Sequence, residues 1–447
     1  MKLSFKQAGA LLNKRGFGIT PGLERIAALM DMLDHPELKY PTIHIAGTNA
    51  KTSTGRILAA VLASHGLKTG LYTSPHLSSI TERYGLAGWD DGLMFDAMSE
   101  EDFAFTLAYL LPFVELVEND RDESLTYFEL TTAVAFEWML EKSVGAGIVE
   151  SGMGGRWDAT NLVDSAVSIL TPIDVDHQQF LGNSPAASAA EKVEIIKPAS
   201  TVVTARQHPE VAEQVAAKGA AVGARVIGLG EQLHLEVNDT AVGGRLIGVR
   251  TSEASYEELF LPLHGAHQGA NLALAIAAAE ALLNQELDHD LLRAALLSVT
   301  SPGRLEVLGR HPLVVVDGAH NPSAAAALVA TLPHDFAYER LTLVLTVFED
   351  KDVEGILAPL ASVAGRIILT RSDSARAAAP VRLRQALPPS AVEPEIVDNL
   401  EEAVDLAVAS SLDDEMVLVT GSLFGIGQAR QHLLNGAGGA ASDPRQS

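Results

Sequence analysis

The segment His44-Ile45-Ala46-Gly47-Thr48-Asn49-Ala50-Lys51-Thr52-Ser53-Thr54 runs from an apolar, strand-like stretch through a turn of small residues into a helix. This is the layout of a phosphate-binding loop. The turn offers backbone N–H groups, Lys51 a compact positive charge, and Thr52 and Ser53 hydroxyls suited to Mg2+. Residues 42–46 read as a buried strand. The helix is expected over 54–65, ending at Gly66, where a left-handed residue closes many helices. Ala50 stands where a glycine normally precedes the lysine, so the GxxxxGK[ST] pattern is not met, and the bland alternative is an ordinary strand-to-helix turn.

At 447 residues the chain is too long for one core, and two or three domains are expected. Hydrophobic residues make up 47% and charged residues 20%, which excludes a largely disordered protein. No apolar run reaches the roughly 18 residues that span a bilayer, and the first residues lack a signal-peptide core, so a cytoplasmic protein without a membrane partner is expected. The absence of cysteine removes disulfides, thiolate nucleophiles and Cys-ligated zinc. A net charge of −25 repels polyanions at long range, so no nucleic-acid partner is expected. An anionic nucleotide can still bind where Lys, Arg, backbone N–H groups and metal are concentrated.

Short β-branched runs at 42–46, 69–72, 147–150, 167–170 and 201–204 alternate with helix-period segments such as 128–142 and 267–283. Such alternation predicts a parallel sheet with helices on both faces. Residues 229–263 alternate instead like a small antiparallel patch. Pro and Gly break the pattern at Ser298-Val299-Thr300-Ser301-Pro302-Gly303, and the βα alternation then restarts. We expect an α/β fold in two domains, 1–298 carrying the phosphate loop and 299–435 a smaller Rossmann-like unit, with 436–447 a disordered tail. No long heptad or exposed apolar stripe is legible.

Further polar groups stand at expected strand ends, where open α/β sheets bind ligands. Glu150 closes the run 147–150 and opens a glycine-rich loop that leaves Arg156 and Asp158 positioned for a polar or anionic substrate. The stretch Asp174-Val175-Asp176-His177 ends another run, with His177 a candidate ligand for a divalent ion. Ser74, just after 69–72, could reach Mg2+ or serve only as a turn residue.

Ten blocks together resemble folylpolyglutamate synthases and bifunctional dihydrofolate synthases, members of the Mur ligase superfamily: HIAGTNAKTST, YTSPHLSSITER, TYFELTTAVAF, ESGMGGRWDATN, LTPIDVDHQQFLG, EKVEIIK, HQGANLALA, PGRLEV, VVVDGAHNP and VTGSLF. They stand in the family's order within residues 20–427. The resemblance implies a P-loop-containing Mur ligase central domain followed by a glutamate-ligase domain. It also implies ATP-dependent amide synthesis, in which a substrate carboxylate attacks the γ-phosphate and the amine of L-glutamate displaces phosphate from the acyl phosphate. The protein's task would be to neutralise phosphate charge, align the carboxylate and exclude water.

Carried over residue by residue, the resemblance makes Gly47, Thr48, Asn49, Lys51 and Ser53 the phosphate loop, with Thr52 a rival to Ser74 for Mg2+. Ser74, Glu150 and His177 become the metal ligands, and Lys192 a lysine that relatives carbamylate to help hold a second Mg2+. Asn271, Arg304 and Asp317 would hold the nucleotide, while His320 and Ser422 would lie on the glutamate and catalytic side. Phe128, Glu129, Arg156, Trp157 and Asp158 would surround the pteroate moiety of a folate or dihydropteroate. A hinge is expected at 298–303, and a monomer by analogy with relatives. Three departures stand out: Ala50 replaces glycine, Trp157 replaces leucine, and Val193-Glu194 replaces Ala-Gly after Lys192. Two rival readings remain, a Mur-type ligase acting on a UDP-linked peptide precursor and a nucleotide-binding regulatory module without ligase activity. The phosphate loop near residue 47 leaves little room for an N-terminal UDP-binding domain, which weighs against the first.

Overall fold

The computed structural model describes residues 3–16, 20–90, 92–176 and 178–437. Eight strands form the first sheet: β1 (Thr42–Ala46), β2 (Thr69–Tyr72), β3 (Tyr84–Trp89), β4 (Leu93–Ala97), β5 (Ala146–Glu150), β6 (Val167–Leu170), β7 (Thr201–Thr204) and β8 (Arg225–Gly228). Their order is β4-β3-β2-β5-β1-β6-β7-β8, parallel except where β3 meets β2 and β4. Strand β1 is buried at all five positions because it lies between β5 and β6 with helices above and below. One face packs on the helices Lys51–Ser64 and His267–Leu283, the other on Glu100–Arg121 and Tyr127–Glu141. A three-stranded antiparallel sheet, β9 (His234–Ala241), β10 (Gly244–Arg250) and β11 (Ser255–Leu261), stands where the alternating pattern predicts it.

The second unit carries β12 (Glu306–Arg310), β13 (Leu313–Asp317), β14 (Leu341–Leu345), β15 (Arg366–Arg371), β16 (Glu395–Asn399) and β17 (Met416–Thr420), ordered β12-β13-β17-β14-β15-β16 with only β12 antiparallel. Residues 297–305 link the two sheets. Ser53 and Ser301 share a hydrogen bond of 2.8 Å, and Arg56 reaches the Thr300 carbonyl at 2.5 Å. Away from the linker, Arg245 of β10 meets the buried Asp335 of the second unit at 3.1 Å.

The phosphate-loop helix begins at Lys51, three residues before the expected start, so Lys51, Thr52 and Ser53 occupy its first turn. The sequence reading did not resolve the β3–β4 hairpin, the edge strands β8, β12 and β16, or the helix Glu100–Arg121. That helix corrects one expectation: Phe105, Tyr109 and Leu116 stand exposed on it at helical spacing, an apolar stripe hidden among equally apolar buried neighbours. The last helix runs Leu423–Ala437, two residues into the expected tail, and the rest of that tail lies outside the described residues. Among the described residues no helix is long and apolar enough to cross a membrane.

Candidate active site

Parallel strands β1, β2, β5, β6 and β7 end on one edge, and the loops that leave them form one wall of a cleft of about 580 Å³. Loops of the second unit form the facing wall. Gly47 leaves β1 at φ +155°, and a Cβ there would stand 1.9 Å from Thr171 Oγ1, so only glycine fits. Thr171 Oγ1 donates to the Asn49 carbonyl at 2.7 Å, and Thr48 exchanges hydrogen bonds with the Asp174 backbone at 2.8 and 2.9 Å. These ties turn the loop into the helix, whose first-turn amides face the cleft. Ala50 adopts φ +71°, a left-handed conformation that a glycine would take without strain.

Lys51 Nζ folds back to the Gly47 carbonyl at 3.0 Å and stands 4.0 Å from Glu150 Oε1. Glu150 is 2% exposed at the end of β5 and accepts from Thr52 Oγ1 at 2.9 Å. Burial raises its carboxyl pKa, opposed by Lys51, Thr52 and Arg304. Ser74 Oγ is buried on the same edge with no hydrogen-bond partner among the described residues. This pair of hard oxygen donors suits Mg2+. Among the described residues no three His, Asp or Glu side chains cluster as a metal site, so an ion here would complete its shell from phosphate and water. Thr52 is spent on Glu150, and Ser53 Oγ is turned to the domain linker. His177 lies outside the described residues; Asp174 and Asp176 before it line the cleft.

Lys192 also lines the cleft at 4% exposure, its ammonium pKa pushed down to about 7 by burial and then by Lys51. Asn271 is held by Gln268 at 2.9 Å with its side chain buried at the cleft. From the second unit come Arg304, Asp317, His320 and Ser422. Asp317 accepts the amides of Leu305 and Ala319 at 2.9 and 2.8 Å, and His320 Nδ1 donates to the Gly318 carbonyl at 2.7 Å. Asn49 joins the walls directly, accepting from Asn321 at 3.0 Å and donating to Ser323 at 3.1 Å.

The five residues expected around a pteroate do not line this cleft. Glu129 caps its own helix through the Thr126 amide (2.8 Å) and meets Arg25 at 3.1 Å. Asp158 anchors the glycine-rich loop by accepting from the Met153 amide at 2.7 Å and from Thr160. Phe128 packs so closely on Gly152 that a Cβ would lie 2.4 Å from its ring. Arg156 and Trp157 are exposed at the rim, Arg156 facing Glu191 and Glu194 at 3.8 and 3.4 Å. Sequence reasoning overlooked Phe348, Lys351, Arg376 and Phe424, which line the second wall. The segment Phe348-Glu349-Asp350-Lys351 follows β14 closely, so the strand-end rule applied in the first unit would have found it.

The Mur ligase middle domain matches residues 93–279, and the glutamate ligase domain of Mur ligases matches residues 303–423. A dihydrofolate synthase/folylpolyglutamate synthase of Mycobacterium tuberculosis is 37% identical over 448 residues, covering 92% of this chain and 90% of that protein. The chain belongs to the folylpolyglutamate synthase/dihydrofolate synthase family of Mur ligases. The corresponding Bacillus subtilis protein is 32% identical, covering 93% of this chain and 96% of its own length. Mycobacterium tuberculosis folylpolyglutamate synthase complexed with ADP superposes with a TM-score of 0.89 at 37% identity, covering 96% of this chain and 98% of that one. Escherichia coli FolC in complex with DHPP and ADP gives 0.85 at 28% identity, covering 97% and 98%. As a member of this family, the chain is an ATP-dependent, amide-forming ligase.

Proposed function

We propose that this chain adds L-glutamate to folates, and to dihydropteroate, through an acyl phosphate formed from ATP. The observation that carries the reading is the meeting, in one cleft, of Lys51, Glu150 and Ser74 from the first unit with Arg304, His320 and Ser422 from the second. The first-turn amides and Lys51 receive the triphosphate, while Asn271, Arg304 and Asp317 hold the nucleotide. Ser74, Glu150 and His177 would hold Mg2+, which supplies positive charge to the phosphate oxygens. The folate carboxylate attacks the γ-phosphorus and ADP leaves. The amine of L-glutamate then displaces phosphate.

This chemistry asks for alignment and dryness rather than a protein nucleophile, and the absence of cysteine is compatible with it. Lys192 supports a carbamate. An amine with a pKa near 7 has a large neutral fraction at neutral pH, the form that adds to CO2, and the product is an anion beside Lys51. We propose that the chain works as a cytoplasmic monomer.

The test is a panel of dihydropteroate, reduced folates and a UDP-linked peptide, each with ATP and several amino acids. ADP release should require a pteroate-type acid and L-glutamate together. Release driven by the UDP-linked peptide, or nucleotide binding with no turnover on any pair, would replace this reading.

A further inference from the structure

The helix Pro322–Asp335 of the second unit is tied to the first unit at both ends. At its start, Asn321 and Ser323 meet Asn49 of the phosphate loop at 3.0 and 3.1 Å. At its end, Asp335 enters the first unit with its side chain 1% exposed. Asp335 Oδ1 accepts from Arg245 at 3.1 Å and from Thr240 Oγ1 at 3.4 Å, and Oδ2 accepts from the Gly265 amide at 2.5 Å. Between these ties, Ala324, Ala327 and Leu328 line the main cleft. The helix is 14 residues long. At about 1.5 Å per residue its two ties stand about 20 Å apart, so they set the tilt of the second unit over the cleft.

Arg245 carries the contact onward. Its Nε donates to Asn238 Oδ1 at 2.7 Å and a terminal nitrogen donates to the Asn238 carbonyl at 2.5 Å, while Asn238 Nδ2 donates to the Ala266 carbonyl at 2.8 Å. Asn238 also packs on Gly269, where a Cβ would stand 2.7 Å from its side chain. The turn Gly265-Ala266 is therefore held from two sides, by Asp335 through one amide and by Asn238 through one carbonyl. Gly265 has φ +102°, and a Cβ there would lie 2.3 Å from the His267 ring, so the turn admits glycine alone. This turn opens the helix His267–Leu283, and His267, Ala270 and Asn271 in its first turns line the cleft.

Arg245 is 5% exposed, and taking two charges out of water is repaid only where each finds further hydrogen bonds, as both do here. The pair spans the two units and ends on the turn that aims Asn271. We propose that Asp335 is a positioning residue for the nucleotide, a latch that makes closure of the second unit and seating of the helix His267–Leu283 one event. This rests on the nucleotide role proposed above for Asn271 and Arg304. Sites coupled through one such contact bias each other equally, so bound nucleotide should favour the closed state as much as the latch favours nucleotide.

The experiment compares Asp335→Asn, and the double variant Arg245→Met with Asp335→Leu, against the wild type, with ADP as the probe. Asparagine keeps an acceptor for the Gly265 amide but leaves Arg245 buried without a counter-charge. The double variant removes both charges, an exchange that in buried pairs often leaves stability unchanged. In both variants the Kd for ADP should rise by about tenfold or more, as expected for loss of hydrogen bonds to a charged group, and the KM for ATP should rise with it. At saturating ATP, the KM values for the acid and for the amino acid should stay within about twofold. A pair that served stability alone would behave otherwise, since the double variant would then bind ADP as the wild type does. That result, or an unchanged Kd in Asp335→Asn, would overturn the assignment.

A second measurement reads the latch without turnover. The chain has no cysteine, so spin labels at Val242→Cys, in the exposed turn between β9 and β10, and at Leu412→Cys, exposed on the second unit, report the distance between the units. With Asp335 in place, saturating ADP should narrow the distances to one population, whereas Asp335→Asn should retain a second. Identical distributions in the two proteins would overturn the proposal. Absence of ADP binding by the wild type would instead overturn the nucleotide reading, and this assignment with it.

Discussion

On the wall built by the eight-stranded sheet, charged and polar groups are buried with few partners of their own: Ser74 Oγ has none among the described residues, Glu150 is 2% exposed, and Lys192 is 4% exposed. On the wall built by the six-stranded sheet, the corresponding groups are already matched. Lys351 holds Asp176 across the cleft, Arg376 holds Asp350 while lying 4.5 Å over the Phe348 ring, and Asp317 accepts two amides. The difference fits the ligands proposed for the two walls. A chelated triphosphate brings so much charge that partners set in place beforehand, at a cost in stability, strengthen its binding and its reaction. The amino-acid substrate proposed for the second wall carries far less charge and asks for less of this preparation.

The first wall should therefore hold stability in reserve, and Glu150→Gln tests this with the largest expected effect. Turnover should fall on the order of 10²-fold, since the carboxylate proposed to hold the metal is lost. The fold should be kept. Because burial raises the Glu150 pKa, the folded state penalises its charged form at neutral pH, and the neutral glutamine should melt at or above the wild-type temperature at pH 7. Near wild-type turnover, or a marked fall in melting temperature, would break the comparison.

His44 sharpens it at the level beneath the loop. Its ring is fully buried in β1, with Nε2 2.8 Å from Thr160 Oγ1, and burial pushes its pKa down to about 3. In the unfolded chain the ordinary value near 6.5 applies, so between these limits the unfolded state binds the extra proton. Stability must then fall as pH drops from about 6.5 toward 3. His76, pushed down to about 4, adds to the same slope. In His44→Gln the decline in melting temperature between pH 7 and 4 should be shallower than in the wild type. An identical slope would show that His44 is not held neutral.

The smallest effect belongs to Ala50. Its left-handed backbone costs about 1–2 kcal/mol, and glycine would relieve that while losing about 0.5–1 kcal/mol to greater freedom in the unfolded chain. Ala50→Gly should be stabilising by about 0–1.5 kcal/mol in urea unfolding. A loss of more than about 1 kcal/mol would mean that the methyl group packs usefully in the loop.

Much of this architecture was legible from local pattern. Strands β1, β2, β6 and β7 are short, mostly apolar or β-branched runs and the helix His267–Leu283 has a clear helical period, and the sequence bounds match the structure. Strands β12 and β16 lie at the sheet edge with half-exposed or exposed residues, so they carry no apolar run to read. In the site, the strand-end rule placed Lys51, Ser74 and Glu150, since a parallel sheet delivers its carboxyl ends to one edge. It could not foresee that Asp158 and Glu129 would turn inward to cap amides, because such contacts depend on loop paths rather than on spacing. Nor could it pair Asp176 with Lys351, 175 residues apart and on different units.

The central claim is that this cleft uses ATP to activate a carboxylic acid. The direct measurement is to label the carboxylate oxygens of the folate substrate with 18O, run turnover with ATP and L-glutamate, and analyse the released phosphate by mass. One labelled oxygen should appear in each phosphate, carried there when the carboxylate attacks phosphorus and later leaves with it. Unlabelled phosphate accompanied by normal amide formation would contradict the acyl-phosphate route and the account built on it.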